Sequence, residues 1–348
     1  MRIVDVRVCQ PIAENSPPDW RTDFGQILVA VDTDDGLTGY GVGGGGPAGM
    51  HVIRACLRDL LIGESADDVE SLWQRMYDAT LPFGRKGLAI MALSGVDLAL
   101  WDLRGKRANQ PLATLLGGGA GQPLPTYSTI WGDVSADDIP AHGGVKLHVG
   151  KGVGEETLAS PRRLAEFIGR VREWVGPHRP FMIDAWMQWD IEFTLRMADE
   201  LAPLELEWIE EPLPADDFAG YERLVRDCPI SIAGGEHEFT AAGFAELIER
   251  GLHQVLQPDI CWVGGMTEMV KISRQAQAAG LRVVPHRGAE LWGLHAVAGL
   301  DSEPLAESGR PWMTWVGGQP EIVEGTIVCP TTPGFGVSID ENLFAAEG

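Results

Sequence analysis

The sequence predicts a chain of two parts, an α+β unit followed by a parallel α/β barrel, and three observations support this fold class. The first part, to about residue 118, opens with strand-like segments and continues with helical periodicity. From about residue 124, short β-rich segments alternate with helical segments. Acidic residues end three successive segments of this series, where a barrel brings strand ends to one face.

The first unit, residues 1–118, is predicted to be a separate α+β domain. Strand-like alternation covers about residues 2–12 and 26–42, and the turn Asp34-Asp35-Gly36 makes the second segment a hairpin. Helical periodicity follows in three segments, at roughly 49–62, 68–80 and 87–107.

The barrel is predicted for residues 119–318, and residues 319–348 form a turn-rich C-terminal segment that is expected to return to the first unit. Its strand segments, in chain order, are LPTYSTIW, VKLHV, FMID, LEWIE, ISIAGG, QVLQP, RVVPH and a weaker one at PLAE. Between the first two lies GDVSADDIPAHGG, which contains Pro140 and is short for a crossover helix. We therefore expect a reduced or irregular connection there.

Composition argues against several classes of protein. The 348 residues carry a net charge of −23, which disfavours a nucleic-acid partner because phosphate binding needs clustered basic residues. The five cysteines are scattered without a CxxC pair, so neither a zinc site nor a disulfide framework is indicated. The start has no signal-peptide pattern and no apolar run is long enough to span a membrane, so a cytoplasmic protein without a membrane partner is expected.

Three carboxylates are predicted to meet at one end of the barrel. Asp184 ends FMID, Glu210 ends EWIE and Glu236 follows SIAGG, with successive members 26 residues apart. Equal spacing of about one βα unit places them at the same end of consecutive strands. Converging carboxylates need a cation, and hard oxygen ligands with neither cysteine nor an adjacent histidine pattern favour Mg²⁺ over zinc. The alternative is that each acid caps a helix or pairs with a basic side chain.

A candidate general base follows on the next two strands. Asp259 lies in QPDICW and His286 in VVPHRG, 27 residues later, which is again one βα unit. A buried aspartate beside a histidine fixes its tautomer and raises its basicity. The alternative is a histidine that is simply hydrogen-bonded in the core.

Three further residues are candidates for catalysis. Alternation in VKLHV places Lys146 and His148 on one face of the strand. A lysine that points into an apolar barrel needs an anionic partner, either a substrate carboxylate or a metal-ligand carboxylate. Glu307, on the last strand, could donate a hydrogen bond to developing negative charge if burial retains its proton. The alternative for Lys146 is a solvated lysine near the strand end, and the alternative for Glu307 is an acid on the surface.

The chain also resembles a known family. The motifs MIDAWMQWD, WIEEPLPADDFAGY, AGGEHEFT, QPDICWVGG and VVPHRG resemble the mandelate racemase-like branch of the enolase superfamily. PFGRKG and GGEHEFT are more similar to rhamnonate dehydratase-like acid-sugar dehydratases. The resemblance covers about residues 25–340 and implies an N-terminal capping domain, a modified TIM barrel of the (β/α)7β type and a homo-oligomer.

The resemblance also implies chemistry. It assigns Mg²⁺ to the three strand-end carboxylates, the general base to the Asp259–His286 pair, and a place near the substrate carboxylate to Glu307. The expected enzyme is a lyase that removes the proton beside the carboxylate of an acid sugar, such as a rhamnonate-like aldonate, and dehydrates it to a 2-keto-3-deoxy acid. Many members carry Lys-x-Lys where this chain has Lys146-Leu147-His148, which disfavours a two-base reaction that needs the second lysine. The alternatives are a racemase or epimerase of a 2-hydroxy acid and an inactive homologue that only binds sugar acids.

Substrate selection is expected to depend on the first unit. Arg21, in the loop before the second strand, and His51, just after the glycine-rich GGGGPAGM, are candidate contacts to the substrate. Trp292 is a candidate to line the pocket, with ordinary packing as the alternative.

Overall fold

The computed structural model of the chain describes residues 1–12, 20–150 and 153–345. Its first unit contains a three-stranded antiparallel sheet of order β1-β2-β3. The predicted hairpin is confirmed, because β2 pairs with β3 and Gly36 has a φ of 83°, a conformation that favours glycine. The strands are β1 (Ile3–Cys9), β2 (Ile27–Thr33) and β3 (Thr38–Gly43).

Helices complete the first unit, and the longest packs on β2 and β3. The close approach depends on glycine in β3, since a Cβ on Gly41 would lie 2.1 Å from the carbonyl oxygen of Gly95. A π-helical segment, Ile53–Leu57, links the second and third helices. The helices are α1 (Trp20–Asp23), α2 (Gly46–Val52), α3 (Arg58–Leu61), α4 (Val69–Thr80), α5 (Leu88–Ala108) and α6 (Leu112–Leu115).

Eight parallel strands form the barrel sheet, in the order β10-β9-β8-β7-β6-β5-β4-β11. The segment after β10 also reaches β11, because the Ala289 amide donates to the Glu307 carbonyl at 2.8 Å. The predicted capping domain and modified TIM barrel are therefore confirmed. The strands are β4 (Pro123–Trp131), β5 (Gly144–His148), β6 (Phe181–Asp184), β7 (Ile209–Glu210), β8 (Ile232–Gly234), β9 (Val255–Leu256), β10 (Arg282–Val283) and β11 (Ala306–Glu307).

Helices follow the strands from β5 to β10 and bury an apolar face against the sheet. Several begin at a side-chain cap: Asp190, for example, accepts a hydrogen bond from the Phe193 amide at 2.7 Å. The helices of this part are α7 (Glu155–Leu158), α8 (Pro161–Val175), α9 (Ile191–Leu201), α10 (Phe218–Asp227), α11 (Thr240–Glu249), α12 (Gly265–Ala279), α13 (Leu291–Leu300) and α14 (Asn342–Ala345).

Two connections depart from a regular barrel. The segment between β4 and β5 contains one 3₁₀ turn, Ala136–Asp138, so the reduced connection expected from the sequence is confirmed. A 3₁₀ turn, Ala202–Leu204, also ends α9. After the barrel, strand β12 (Thr326–Val328) pairs antiparallel with β4, and α14 packs against β1.

Polar contacts dock the first unit on the barrel. Trp73 donates its indole N–H to the Gly264 carbonyl at 2.8 Å. Buried Asp97 accepts from both the amide and the hydroxyl of Thr267, at 3.0 and 2.6 Å. Burial raises the pKa of Asp97 to about 7, although the bonds from Thr267 oppose that shift. These contacts fix the position of the first unit over the strand ends.

A buried histidine joins α6, α13 and the C-terminal segment, and it predicts acid sensitivity. His295 Nδ1 accepts from the Ala113 amide and Nε2 donates to the Phe335 carbonyl, both at 3.1 Å. Burial lowers the pKa of His295 from 6.5 to about 4. Between pH 6.5 and about 4 the unfolded chain therefore binds more protons than the folded chain. The contribution of neutral His295 to the free energy of unfolding is complete above pH 6.5 and is lost as the pH falls towards 4. We expect His295 to account for up to about 3 kcal/mol of the acid loss in unfolding free energy.

Urea unfolding of wild type and His295→Asn at about pH 7 and pH 5 measures this effect. The variant is expected to be less stable than wild type at neutral pH, and its free energy of unfolding should fall less than that of wild type on acidification. The same substitution at exposed His142 is the control. An unchanged pH dependence in His295→Asn would remove His295 as the cause.

No helix within the described parts of the chain has the length and apolar character that crossing a membrane requires.

Candidate active site

A cavity of about 620 Å³ lies at the carboxyl ends of the barrel strands, beneath the start of α1. This volume is within the range of small-molecule sites. Tryptophans from both parts of the chain form much of its wall: Trp20, Trp131, Trp186, Trp262 and Trp312. Six of the residues proposed from the sequence also face it: Arg21, Lys146, His148, Asp184, Glu236 and His286.

Lys146 is the central cation of the strand ends. Its Nζ lies 2.6 Å from Glu210, 3.0 Å from Glu307 and 3.9 Å from Asp184, and the residue is only 1% exposed. Although burial lowers the pKa of Lys146, these carboxylates raise it well above its usual value. The sequence left open whether Lys146 pairs with a substrate carboxylate or with a metal-ligand carboxylate. In the structure its partners are carboxylates of the protein.

Asp184 and Glu210 end neighbouring strands and pair in register. Burial raises the pKa of Asp184 to about 7 and that of Glu210 to about 8, against the opposing effect of Lys146. Glu210 also accepts hydrogen bonds from Gln257 at 2.7 Å and from Trp208 at 3.3 Å. One ammonium shared by several buried carboxylates leaves an excess of negative charge, which a cation would offset.

The His286 ring is held on both sides by carboxylates. Nδ1 lies 2.9 Å from Asp259 Oδ2, and Nε2 lies 2.9 Å from Glu236 Oε2. Burial lowers the pKa of His286, but Glu236, Glu307 and Asp259 together raise it to about 10. Burial raises the pKa of Glu236, but His286, His237 and Lys146 together hold it well below its usual value. The structure therefore brings Asp259, His286 and Glu236 together.

Asp259 has a second partner that the sequence did not indicate. Arg310, from the segment after β11, donates to Asp259 Oδ2 through Nη2 and to Glu290 Oε2 through Nη1, the latter at 2.6 Å. Burial raises the pKa of Asp259, but Arg310 and His286 outweigh it and lower the pKa below its usual value. Asp259 is thus an anion whose position is fixed from two sides.

The contacts of Glu307 do not favour the retained proton on which its suggested role as a hydrogen-bond donor depends. Glu307 accepts hydrogen bonds from the Thr129 hydroxyl and from the Arg287 amide, the latter at 2.9 Å. Burial alone raises the pKa of Glu307, but Lys146 and Arg287 lower it far below its usual value. Glu307 is therefore an anion that anchors Lys146, and it lies behind the cavity wall.

His148 lies between two tryptophans of the cavity, with ring centroids 6.4 Å from Trp131 and 6.1 Å from Trp186. Its Nδ1 is buried without a hydrogen-bond partner among the described residues. Burial and Lys146 lower the pKa of His148 to about 4, so its ring is neutral at physiological pH.

Comparison with known proteins identifies the family. Residues 20–117 match the N-terminal domain of mandelate racemase and muconate lactonizing enzyme, and residues 136–343 match the enolase C-terminal domain-like family. The chain belongs to the mandelate racemase branch of the enolase superfamily. The resemblance noted from the motifs is thereby confirmed.

Three relatives show how far this similarity extends. An L-rhamnonate dehydratase of Saccharopolyspora erythraea is 37% identical, over 98% of this chain and 91% of its own length. The crystal structure of L-talarate dehydratase from a Polaromonas species, complexed with Mg and L-glucarate, has a TM-score of 0.86 at 31% identity, over 99% of this chain and 96% of that one. A racemase from Streptomyces coelicolor with bound magnesium has a TM-score of 0.86 at 29% identity, over 99% of both chains.

Two of the substrate contacts proposed for this enolase superfamily member are wrong. His51 is exposed on α2 and does not line the cavity. Trp292 is fully buried on α13, where its indole N–H donates to the Tyr40 carbonyl at 3.1 Å, so it is a packing residue. Arg21 does line the cavity, and its guanidinium lies 5.6 Å from the Trp312 ring.

The sequence analysis missed two functional candidates, Glu211 and His237, although each directly follows a predicted metal ligand. Glu211, Glu236 and His237 are the one group of described acidic and imidazole side chains whose ligand atoms all lie within 4.8 Å of one another. The predicted metal ligands, Asp184, Glu210 and Glu236, do not converge as closely. Lys146 holds Glu210, and His286 holds Glu236. A histidine directly after Glu236 in GGEHEFT was the available signal.

Proposed function

We propose that this chain is a magnesium-dependent hydro-lyase that removes the C2 proton of an acid sugar and eliminates its 3-hydroxyl to give a 2-keto-3-deoxy acid. The observation that carries the proposal is that His286 lines a cavity among strand-end carboxylates while buried Asp259 holds its Nδ1 at 2.9 Å. The relatives named as acid-sugar dehydratases support the choice of reaction.

The donor chemistry of the strand-end carboxylates fits a magnesium ion, although their oxygens converge less closely than the ligand atoms of Glu211, Glu236 and His237. We assign Asp184, Glu210 and Glu236 as its ligands, since they are buried oxygen donors. Their combined negative charge is also larger than the positive charge of the lysine beside them. Mg²⁺ held there would supply positive charge to the substrate carboxylate as that group becomes more negative. A cation held by Glu236 would offset the charge of that carboxylate, and the pKa of His286 would then fall towards a value suited to a base.

His286 acts as the base in this proposal. Its Nδ1–H is oriented by Asp259, so Nε2 is the nitrogen that accepts the C2 proton. Asp259 stabilises the imidazolium that forms, and Arg310 keeps Asp259 ionised. The same proton then passes from Nε2 to the departing 3-hydroxyl, which leaves as water. Removal of one hydrogen and one hydroxyl gives an enol that becomes the 2-keto-3-deoxy acid.

Lys146 and Glu307 support this machinery without transferring protons. Lys146 holds Glu210 in place, while the anionic Glu307 fixes Lys146 from the opposite side. Lys146 also lines the cavity.

Epimerisation is less well supported. It requires a second base on the opposite face of C2. Besides His286, the cavity is lined by His148 and His237, and His237 contacts Glu236 as His286 does, so His148 is the candidate for the other face. The pKa of His148, lowered to about 4 by burial and by Lys146, makes this ring a weak base.

We expect the purified chain with Mg²⁺ to convert at least one aldonate, with L-rhamnonate the first choice, into a 2-keto-3-deoxy acid. A panel of aldonates and diacid sugars, assayed for 2-keto acid by semicarbazide absorbance, tests this. Reactions in D₂O followed by NMR distinguish dehydration from exchange or inversion at C2. C2 inversion without 2-keto acid formation would overturn the dehydratase proposal in favour of an epimerase.

A further inference from the structure

A second pair of carboxylate and imidazole lies beside the proposed base. His237 Nδ1 is 2.7 Å from Glu211 Oε2, a separation close to the 2.9 Å between His286 and Asp259. Both histidines contact Glu236, with His237 Nδ1 at 3.5 Å from Oε1 and His286 Nε2 at 2.9 Å from Oε2. The proposed reaction assigns a role to one of these two pairs and leaves the Glu211–His237 pair without one.

Glu211 is held rigidly for this contact. It is 2% exposed, and its φ of 37° lies in the left-handed region that non-glycine residues rarely adopt. Its backbone is tied on both sides, because its amide donates to the Ala233 carbonyl at 3.0 Å and its carbonyl accepts from the Met187 amide at 2.6 Å. Its Oε1 accepts from the Gly235 amide at 3.3 Å, so Oε2 is left to orient His237.

The other edge of the His237 ring faces the cavity. Because Nδ1 is directed at Glu211, it carries the proton, and Nε2 lies on the opposite edge. The ring is flanked by two tryptophans of the cavity wall, with centroids 6.3 Å from Trp186 and 6.1 Å from Trp262. His237 lines the cavity and its side chain remains 22% exposed, so Nε2 is accessible to a ligand.

We propose that His237 is a specificity-determining residue that hydrogen-bonds a hydroxyl of the acid sugar through Nε2, with Glu211 as the positioning residue behind it. This inference rests on the proposed function and deepens it by naming a contact to the polyhydroxy chain. A hydroxyl is favoured over a second substrate carboxylate because Glu211 and Glu236 already place two negative charges against this ring. The tryptophan walls pack against the C–H faces of a sugar chain held in this way.

Isosteric substitutions separate the two edges of the ring. In His237→Asn the side-chain amide can still donate to Glu211 where Nδ1 does, but nothing remains at the position of Nε2. In His237→Gln the amide reaches the position of Nε2. We therefore expect His237→Asn to raise KM for L-rhamnonate about tenfold, with a smaller change in kcat. In His237→Gln the KM should lie much closer to the wild-type value.

Lactate, a 2-hydroxy acid without further hydroxyls, is the matched probe. Its inhibition constant against L-rhamnonate turnover should be the same in wild type and His237→Asn, since lactate lacks the hydroxyls beyond C2, where the contact to Nε2 is proposed. The substitution His142→Gln, at an exposed site outside the cavity, is the control for general effects. Circular dichroism and thermal melting establish that each variant is folded.

The outcomes distinguish this proposal from the one on which it rests. Failure of wild type to dehydrate any aldonate or diacid sugar of the panel refutes the proposed function before a variant is made. With an active wild type, an unchanged KM in His237→Asn overturns the inference about His237 alone. Equal increases in KM for L-rhamnonate and in the inhibition constant of lactate also overturn it, because His237 would then act at the carboxylate end of the substrate.

Discussion

The variant His286→Asn is expected to lose turnover by about 10²- to 10⁴-fold while it keeps its fold. The loss follows because Nε2 is the nitrogen that accepts the C2 proton in the proposed reaction, and asparagine has no basic atom there. The fold should persist because the asparagine amide can still donate to Asp259 Oδ2 from the position of Nδ1. Arg310 continues to neutralise Asp259, and His237 remains 3.5 Å from Glu236.

Steady-state kinetics on the aldonate found in the substrate panel measures this loss, and NMR in D₂O reports C2 exchange separately. The control is the exposed His142→Asn, which should retain wild-type turnover. Full activity in His286→Asn would remove the base assignment. Continued C2 exchange without dehydration would place the base elsewhere and leave His286 to protonate the leaving hydroxyl.

The strand-end residues could be predicted because the length of a βα unit is nearly constant. Intervals of 26 residues from Asp184 through Glu210 to Glu236 place all three at one end of the sheet once parallel strands are inferred. The pairing of Asp259 with His286 followed from the same regularity, and the two residues form a β-bridge in the structure. Periodicity also located the hairpin of the first unit and the shortened connection after β4.

Properties that depend on three-dimensional neighbours were not predictable in this way. The ionisation of Glu307 depends on Lys146 and Arg287, and no sequence interval indicates that both cations would face one buried acid. Arg310 reaches Asp259 across 51 residues from an irregular segment. Trp292 was misplaced because a helix with apolar residues on every face gives no signal for the side that meets the cavity.

Magnesium removal is expected to abolish turnover, and added Mg²⁺ is expected to restore it. Burial raises the pKa values of Asp184 and Glu210 to about 7 and about 8 against the opposing effect of Lys146, so a bound divalent cation would favour their charged forms. Treatment with EDTA followed by gel filtration and Mg²⁺ titration measures the dependence. Since a ligand that binds only the folded state stabilises it, Mg²⁺ should also raise the Tm of the metal-free protein.

The variant Glu236→Gln tests whether this dependence arises at the strand ends. Replacing a charged oxygen ligand by a neutral one should raise the Mg²⁺ concentration for half-maximal activity by about tenfold or more and reduce the increase in Tm. Glu249→Gln, on the exposed end of α11, removes the same charge away from the cavity and should behave like wild type. Full turnover by the metal-free enzyme would defeat magnesium-dependent catalysis, whereas an unchanged Mg²⁺ titration in Glu236→Gln would remove Glu236 from the ligand set. Because Glu236 also contacts His286 at 2.9 Å, the kcat of this variant at saturating Mg²⁺ reports how far that carboxylate tunes the base, separately from metal affinity.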